Sequence, residues 1–302
     1  MKESQLLNII TNIIDSSCIG DDCAYLKDLG IVVSQDTLVE DVHFRLSWMT
    51  PEELGIKAVL VNISDILASG AIPAYITISL SLPKDMDDKF VQEFYLGINS
   101  VCKQYGVKVA GGDLTGSEKV CISICAIGRT EGRNIASRGN AKEGYKIVVA
   151  GNHGSSAAGL NALEKGCLGS QFINVHKAPV LQVAFSELLS TQCKEEYAMM
   201  DTSDGLADAL FKIAQASGVT LEVDLDTVPF ERELMKLGNY QDLILFGGED
   251  YSLVGVVPNE MPVGGYSVIG TVVLRQSAPL VIRYKNEIKE YQSIEEFTYK
   301  HF

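Results

Sequence analysis

Apolar and polar residues recur along the chain with two periods, one typical of helices and one typical of strands. The helical spacing predicts helices over Glu3–Ile14, Pro51 to about Gly70, Asp87–Tyr105, Ser155 to about Lys165, and from just after Gly205 to about Gly218. Short apolar runs predict strands at Ile31–Ser34, Ala74–Leu82, Val107–Ala110, Val120–Ile127, Lys146–Ala150, Ala198–Met200, Thr220–Val223, Ser252–Val257 and Ser267–Val273.

The order of these elements predicts the fold class and a division into two domains. Helices and strands are mixed without strict alternation, which favours an α+β (mixed α/β) fold over a doubly wound parallel sheet. The polar stretch Arg129–Gly144 separates two groups of elements. We therefore predict an amino-terminal domain over residues 1–138 and a carboxy-terminal domain over residues 139–302.

Composition and charge exclude several classes of partner. The 302 residues carry a formal net charge of −14, which opposes attraction to nucleic acid or to an anionic membrane, although such acidity also serves solubility alone. The apolar run Ala74–Leu82 is interrupted by polar residues and is far shorter than the roughly 18 residues of a membrane span. The start Met1-Lys-Glu-Ser-Gln lacks the basic region of a secretory signal, so we predict a cytoplasmic protein.

The cysteines and histidines do not indicate a zinc site. The seven cysteines never form a Cys-x-x-Cys pair, and the four histidines are scattered over the chain. Any bound metal is therefore expected to have mainly oxygen ligands.

One acid falls on an apolar helix face. In the helix that begins at Pro51, positions 54, 58, 61 and 65 share one face and are Leu, Ala, Val and Asp. Because a lone buried carboxylate is costly, Asp65 needs a partner, either a metal ion or a structural partner such as a helix cap or a lysine.

Further acids follow the ends of predicted strands, where ligand crevices commonly form. Asp36, Asp113 and Asp201 each lie at or just after a strand, and Asp204 follows three residues later. Each alone reads equally as a turn residue. A carboxylate cage is predicted when they are combined with the remaining acids of this kind, which are Asp21, Asp22, Asp65, Glu249 and Asp250.

A cage of carboxylates favours magnesium and polyphosphate chemistry. Mg²⁺ prefers a few carboxylate ligands and completes its shell with water and phosphate oxygens. Glycine pairs at Gly111-Gly112 and Gly247-Gly248 allow a ligand to approach the backbone closely. Neither is a Walker loop or a dinucleotide-binding fingerprint.

The order of the motifs resembles that of thiamine-monophosphate kinases, from about residue 18 to residue 302. The motifs are Gly20-Asp21-Asp22-Cys23-Ala24, Ser34-Gln35-Asp36-Thr37-Leu38-Val39 with His43-Phe44, Asn62-x-Ser64-Asp65, Gly111-Gly112-Asp113, Ser156-Ala157-Ala158-Gly159-Leu160, Asp201-x-Ser203-Asp204-Gly205-Leu206 and Gly247-Gly248-Glu249-Asp250-Tyr251. The resemblance implies the two-domain fold of aminoimidazole ribonucleotide synthetases, with the amino-terminal sheet at a homodimer interface. It also implies ATP-dependent conversion of thiamine monophosphate to thiamine diphosphate with several Mg²⁺ ions.

The resemblance also implies roles for individual residues. Those expected at metal sites are Asp22, Ser34, Gln35, Asp36, Asp65, Asp113, Asp201 and Asp204, with Asp113 and Asp204 expected to be catalytic. Those expected to contact ATP are Gly112, Asp113, Arg138 and Ser203, and those expected to contact the substrate are His43, Glu249 and Tyr299. On residue evidence alone, Arg138 also fits a surface loop, His43 a structural hydrogen bond, Glu249 a turn and Tyr299 simple packing.

Three residues in or beside these motifs differ from the family pattern. Gln35 replaces a common threonine, Asp41 a usual glycine and Ser155 a frequent aspartate. Two alternatives to the kinase are another ATP-using enzyme of the superfamily, similar to selenophosphate synthetase, and a non-catalytic protein that binds nucleotides or divalent ions. Against the former, the amino-terminal segment carries no reactive Cys and Lys pair, since its first cysteine is Cys18.

Overall fold

Two β-sheets and the helices packed against them make up the chain, as described by a computed structural model for residues 3–14, 17–262 and 264–298. The helices are α1 (Glu3–Thr11), α2 (Pro51–Ala68), α3 (Asp88–Tyr105), α4 (Ser155–Glu164), α5 (Ile173–Lys177), α6 (Val183–Gln192), α7 (Leu206–Ser217) and α8 (Tyr240–Phe246). The strands are β1 (Ala24–Leu26), β2 (Ile31–Val39), β3 (Ile72–Leu82), β4 (Lys108–Gly116), β5 (Cys121–Arg129), β6 (Lys146–Ala150), β7 (Ala198–Asp201), β8 (Val219–Asp224), β9 (Leu253–Val257), β10 (Ser267–Leu274), β11 (Leu280–Tyr284) and β12 (Glu287–Tyr291).

Both sheets are mainly antiparallel. The first has five strands in the order β1-β2-β5-β3-β4, and only β3 and β4 run parallel, joined through α3. The second has seven strands in the order β12-β11-β8-β10-β6-β9-β7, with β8 and β11 as its parallel pair. The predicted α+β fold is confirmed.

Helix α2 begins with the capping arrangement that its sequence predicts. The Thr50 hydroxyl accepts a hydrogen bond from the Glu53 N–H at 3.2 Å, and the Glu53 carboxylate accepts one from the Thr50 N–H at 2.8 Å. Together they satisfy two of the amide groups that a helix start leaves without partners. Pro51 adds a backbone angle suited to the first turn.

Helix α2 lies between the two sheets. It packs on β2 and β5 of the first sheet and on β7 of the second, so most of its 18 residues are buried. Helix α3 packs against α2 at two glycines: a Cβ atom at Gly55 would lie 2.1 Å from the Phe94 carbonyl oxygen, and one at Gly97 would lie 2.1 Å from that of Glu52. Any larger side chain at either position would push the two helices apart.

Among the described residues, α2 makes the main helix contacts with the first sheet, on one face, and we call the other, more exposed face the open face. Strand alternation places Gln35 and Thr37 of β2 on it, together with Ser79 of β3 and Ser123 of β5. Strand β4 forms the edge of this sheet and is exposed along its whole length.

The elements not anticipated from the sequence are short or have weak periodicity, namely α5, α6, α8, β1, β11 and β12. Among the described residues, none of the helices combines the length and apolar character required to cross a bilayer.

Candidate functional site

Four aspartates from separate parts of the chain meet between the two sheets, and we call them the carboxylate cluster: Asp22, Asp36, Asp65 and Asp201. Asp22 precedes β1, Asp36 lies on β2, Asp65 is in the last turn of α2, and Asp201 ends β7. One carboxylate oxygen from each of Asp22, Asp65 and Asp201 lies within 4.8 Å of the other two. The structure thus brings together four of the predicted metal-site residues.

Serine hydroxyls orient the carboxylates of the cluster. Ser34 is two positions before Asp36 on β2, and its hydroxyl donates a short hydrogen bond to Asp65. Asp201 accepts from the Ser64 hydroxyl at 2.6 Å and from the Ser203 hydroxyl at 2.9 Å. Ser34 and Ser203, both predicted as site residues, therefore lie at the cluster and fix the directions of its oxygens.

Burial and mutual repulsion make the cluster electrostatically costly. Burial, with a further contribution from Asp201, raises the pKa of Asp22 to about 7, and burial together with Asp201 and Asp204 raises that of Asp36 to about 6. Burial and the charges of Asp36, Asp201 and Asp22 raise the pKa of Asp65 well above its ordinary value. Four carboxylates that resist ionisation in this way are expected to gain stability from a bound cation.

The donor set fits a hard divalent ion. Its oxygens come from buried carboxylates and are already oriented by hydroxyl groups. A few carboxylates with room for phosphate oxygens are typical of Mg²⁺ sites at polyphosphates.

Arg138 lies at the edge of the carboxylate cluster. Its guanidinium donates to Asp22 at 2.8 Å, and its main-chain N–H donates to Asp21 at 2.6 Å. The side chain is only 18% exposed, so the surface-loop interpretation of Arg138 is wrong. Its buried Nε has no hydrogen-bond partner among the described residues, which leaves a donor for an anionic ligand.

Asp204 lies at the side of the cluster and is paired with a lysine. The Lys212 ammonium, from α7, contacts Asp204 at 3.1 Å and Asp208 at 2.7 Å. Asp204 nevertheless acts electrostatically on Asp36, since its charge contributes to the raised pKa of that residue. Contact between Asp204 and a bound metal ion stays a prediction.

The Gly247-Gly248-Glu249-Asp250 segment has two functions that the sequence did not separate. Glu249 forms an ion pair with the buried Lys57 at 3.2 Å, and its carboxylate lies 3.3 Å from the ring of His176. Asp250 instead accepts from the main-chain N–H groups of Gly154 at 2.5 Å and Ser156 at 2.8 Å, at the start of α4. Neither carboxylate is among the oxygens that lie together in the cluster, and each is held by donors elsewhere, so the predicted cage does not include them.

His43 lies in the turn after β2. Its Nδ1 accepts a hydrogen bond from the Val39 N–H at 3.0 Å, as the structural interpretation of this histidine expects. Asp41 adopts a φ of 65° in the same turn, a conformation that favours glycine. Asp41 thus takes a backbone conformation that glycine would adopt with less strain, and substrate contact by His43 stays a prediction.

Gln35 and Asp113 do not join the carboxylate cluster within one chain. The Gln35 amide donates to Ser123 at 2.8 Å on the open face, whereas its neighbours Ser34 and Asp36 point the other way. Asp113 pairs in register with Ser79, so it also lies on the open face. Strands β2 and β4 are three strand spacings apart, about 14 Å. The predicted grouping is therefore wrong for a single chain, because alternation and strand order separate the side chains of Gln35 and Asp113 from the aspartates of the cluster.

Gly112 and Tyr299 are the two remaining residues that the sequence predicted for the site. A Cβ atom at Gly112 would lie 1.9 Å from the Ile78 carbonyl oxygen, so close packing of β4 on β3 already requires glycine there. Its predicted contact with ATP remains a prediction. Tyr299 lies outside the described residues.

Three site residues were missed from the sequence: Lys57, His176 and Lys212. For Lys57 a signal was available, since it follows Leu54 by three positions and precedes Val61 by four, within the apolar face that led to Asp65. His176 and Lys212 carry no such signal, because only the fold brings them next to Glu249 and Asp204.

Similarity to known proteins agrees with this geometry. The family model described as AIR synthase related protein, N-terminal domain, matches residues 20–130, and the corresponding C-terminal domain model matches residues 142–262. The thiamine-monophosphate kinase of Bacillus subtilis is 39% identical over 254 residues, covering 80% of this chain and 78% of that protein. The thiamine-monophosphate kinase of Aquifex aeolicus is 36% identical over 270 residues, covering 85% and 86%.

A solved structure extends the similarity to the whole fold. AaThiL complexed with AMPPCP and TMP superposes with a TM-score of 0.89 at 32% identity, covering 100% of this chain and 97% of that one. Identity above 30% over most of both chains, two matching domain models and a shared fold agree with the motifs that meet at the cluster. The chain belongs to the thiamine-monophosphate kinase family.

Proposed function

We propose that this protein transfers the terminal phosphoryl group of ATP to thiamine monophosphate, giving ADP and thiamine diphosphate. The observation that carries the proposal is the match along the whole chain to AaThiL complexed with AMPPCP and TMP. The named kinases of Bacillus subtilis and Aquifex aeolicus support the same activity.

The carboxylate cluster is the proposed magnesium site. Asp22, Asp65 and Asp201 would hold the ions, with Asp36 and the Ser34 hydroxyl beside them. Bound Mg²⁺ would neutralise the charge of the phosphate groups and of the transferred phosphoryl group. The number of ions and the participation of Asp204 belong to this proposal.

The residues of the chain position the reactants and supply charge. An oxygen of the substrate phosphate attacks the terminal phosphorus, and the bond to the bridging oxygen of ADP breaks. Because the attacking oxygen of the substrate phosphate is already largely ionised near neutral pH, the reaction needs no strong protein base. Arg138 has a buried Nε donor beside Asp22, and Ser203 lies next to Asp201, which supports a proposed contact of both residues with ATP phosphates.

The substrate side of the site is proposed to include His43, Glu249 and Tyr299. Of these, Glu249 has the strongest structural support, since its carboxylate is held in place and is 25% exposed. We retain the domain division at residues 138 and 139, which separates the strands of the two sheets. A cytoplasmic location and the absence of nucleic-acid or membrane partners stay predictions.

The enzyme assay that tests the proposal uses purified protein, Mg·ATP and thiamine monophosphate, with the products separated by chromatography. We expect thiamine diphosphate and ADP in equal amounts. Phosphate release with a different acceptor would instead support a selenophosphate synthetase-like enzyme. Binding of ATP without any turnover would support a non-catalytic nucleotide-binding protein.

We further propose a homodimer in which Asp113 acts on the site of the other chain. Two observations support it: β4 is an exposed edge strand with an unpaired side, and Asp113 lies far from the cluster of its own chain. Exposed strand edges are commonly covered by pairing. A two-fold dimer through the open face and its edges would bring the partner's Asp113 towards Gln35, which is next to Asp36 on β2.

Heterodimers of two inactive variants test this arrangement. Asp113→Asn and Asp65→Asn are each expected to lose activity, but a heterodimer of the two, isolated with two different tags, would hold one intact site and retain about half of the wild-type activity. A heterodimer of Asp65→Asn with Asp201→Asn is the matched control and should stay inactive, because both residues serve the cluster of their own chain. An inactive Asp113→Asn/Asp65→Asn heterodimer would contradict a role of Asp113 in the other chain's site.

A further inference from the structure

Lys57 is a fully buried cation whose ion-pair partner lies in the other half of the chain. It lies in the first half of α2, and its side chain has no exposed surface. Its Nζ contacts the Oε2 atom of Glu249 at 3.2 Å, across 192 positions of sequence. A buried lysine is rare unless it is paired, so the position of Glu249 and that of Lys57 depend on each other.

A histidine ring lies beside the same carboxylate oxygen. The Nδ1 atom of His176 lies 3.3 Å from Glu249 Oε2 and 3.2 Å from the Ser156 hydroxyl. Burial and the neighbouring Lys57 charge lower the pKa of His176 to about 4, so this ring is neutral near pH 7 and adds no second positive charge. Lys57 therefore holds Oε2, whereas Oε1 accepts no hydrogen bond from the described residues and is left for another partner.

The backbone of Glu249 is also constrained. Its φ is 65°, which is uncommon for a residue with a side chain, and its N–H donates to the Ser203 carbonyl at 2.7 Å. Gly248, directly before it, adds no side chain to the turn. Glycine would adopt the φ of Glu249 with less strain, so a carboxylate at this position indicates a function for the side chain.

We propose that Lys57 is a positioning residue that fixes Glu249 as an acceptor for an amino group of the substrate, so that the enzyme selects an aminopyrimidine over an oxopyrimidine. The inference rests on the proposed function, because it concerns the organic part of thiamine monophosphate. A carboxylate paired with an ammonium only accepts hydrogen bonds. The amino group of the aminopyrimidine donates one to it, whereas an oxo group would place two acceptors against each other.

The test compares thiamine monophosphate with oxythiamine monophosphate, in which an oxo group replaces the amino group. For the wild-type enzyme we expect kcat/KM to favour the amino substrate by at least about 100-fold, because sites that bind a polar group reject analogues that leave it unpaired. In Lys57→Met, which keeps the length but removes the charge, we expect this preference to fall to within about 10-fold. The lower preference of the variant should come from a raised KM for thiamine monophosphate, and the KM for ATP should be unchanged.

Lys177→Met is the matched control. Lys177 pairs with Glu53 of α2 at 2.9 Å, so this variant also removes an ion pair between α2 and the second half of the chain, but one that does not touch Glu249. It should keep the wild-type preference. If Lys57→Met does not fold, Glu249→Gln replaces it in the test. This variant should also lose the preference for the amino substrate, since its amide offers both a donor and an acceptor.

The possible results distinguish failure of this inference from failure of the proposed function. A Lys57→Met or Glu249→Gln variant that loses stability or kcat but keeps the wild-type substrate preference would overturn the inference and leave Lys57 as a structural tie. Equal use of both substrates by the wild-type enzyme would overturn it as well, while leaving the kinase activity intact. Failure of the wild-type enzyme to phosphorylate thiamine monophosphate would overturn the proposed function and this inference with it.

Discussion

Replacing Asp65 with asparagine is expected to lower kcat about 10³-fold or more. The substitution keeps the shape of the side chain and the hydrogen bond from Ser34, but it removes one charge from the three oxygens that lie within 4.8 Å of one another. Transition-state charge in phosphoryl transfer is balanced by the ions that such oxygens hold, so the loss falls on the chemical step. Steady-state kinetics at saturating Mg·ATP and thiamine monophosphate measure it.

The same variant should stabilise the metal-free protein. The pKa of Asp65 is raised in the folded state, so its ionisation costs stability as the pH rises above about 4, the ordinary value for aspartate. At pH 8 in EDTA we therefore expect Asp65→Asn to melt about 2–4 °C above wild type. Asp85→Asn, at an exposed position, should change neither activity nor melting temperature. Near-normal activity of Asp65→Asn at modest Mg²⁺ would contradict the proposed magnesium site.

ATP binding is expected to weaken at least about 100-fold when Mg²⁺ is replaced by EDTA. The four aspartates of the carboxylate cluster face any phosphate that binds there, and Arg138 is already paired with Asp22. One pair of like charges at about 5 Å costs about 3 kcal/mol at an effective dielectric constant of about 20. Titration calorimetry with ATP under both conditions measures the difference.

Adenosine is the control ligand for this experiment. It lacks phosphates, so its affinity should be nearly the same with Mg²⁺ and with EDTA. If ATP bound equally well in EDTA, the free Nε of Arg138 and main-chain amides would suffice for the phosphates, and the carboxylate cluster would need another explanation.

The long elements of the fold were predictable because their signals are local. The capping box at Thr50 and the terminal Gly106 of α3 fix helix ends through neighbouring residues alone. The β11–β12 hairpin was missed, because β12 alternates weakly and is exposed except at Tyr291. Helices α5 and α8 have only five and seven residues, too few for a clear helical period.

The site was predictable only in part, for a physical reason. Acids at the ends of elements indicated the cluster of Asp22, Asp36, Asp65 and Asp201, since buried carboxylates are costly wherever they occur. The sequence could not tell which face of the first sheet each residue takes relative to α2, so Gln35 and Asp113 were grouped with them. Cationic partners such as Lys57 and Lys212 depend on contacts between distant segments, which spacing does not reveal.

The position of α2 has a consequence for how the protein folds. The helix is counted with the amino-terminal half of the chain, yet part of its surface is covered by β7 and α6 from the other half. If the amino-terminal half were made alone, that surface would meet water, including the buried Lys57 without its counter-charge. The two halves are therefore expected to depend on each other for stability and to unfold in one cooperative transition, although each has its own sheet.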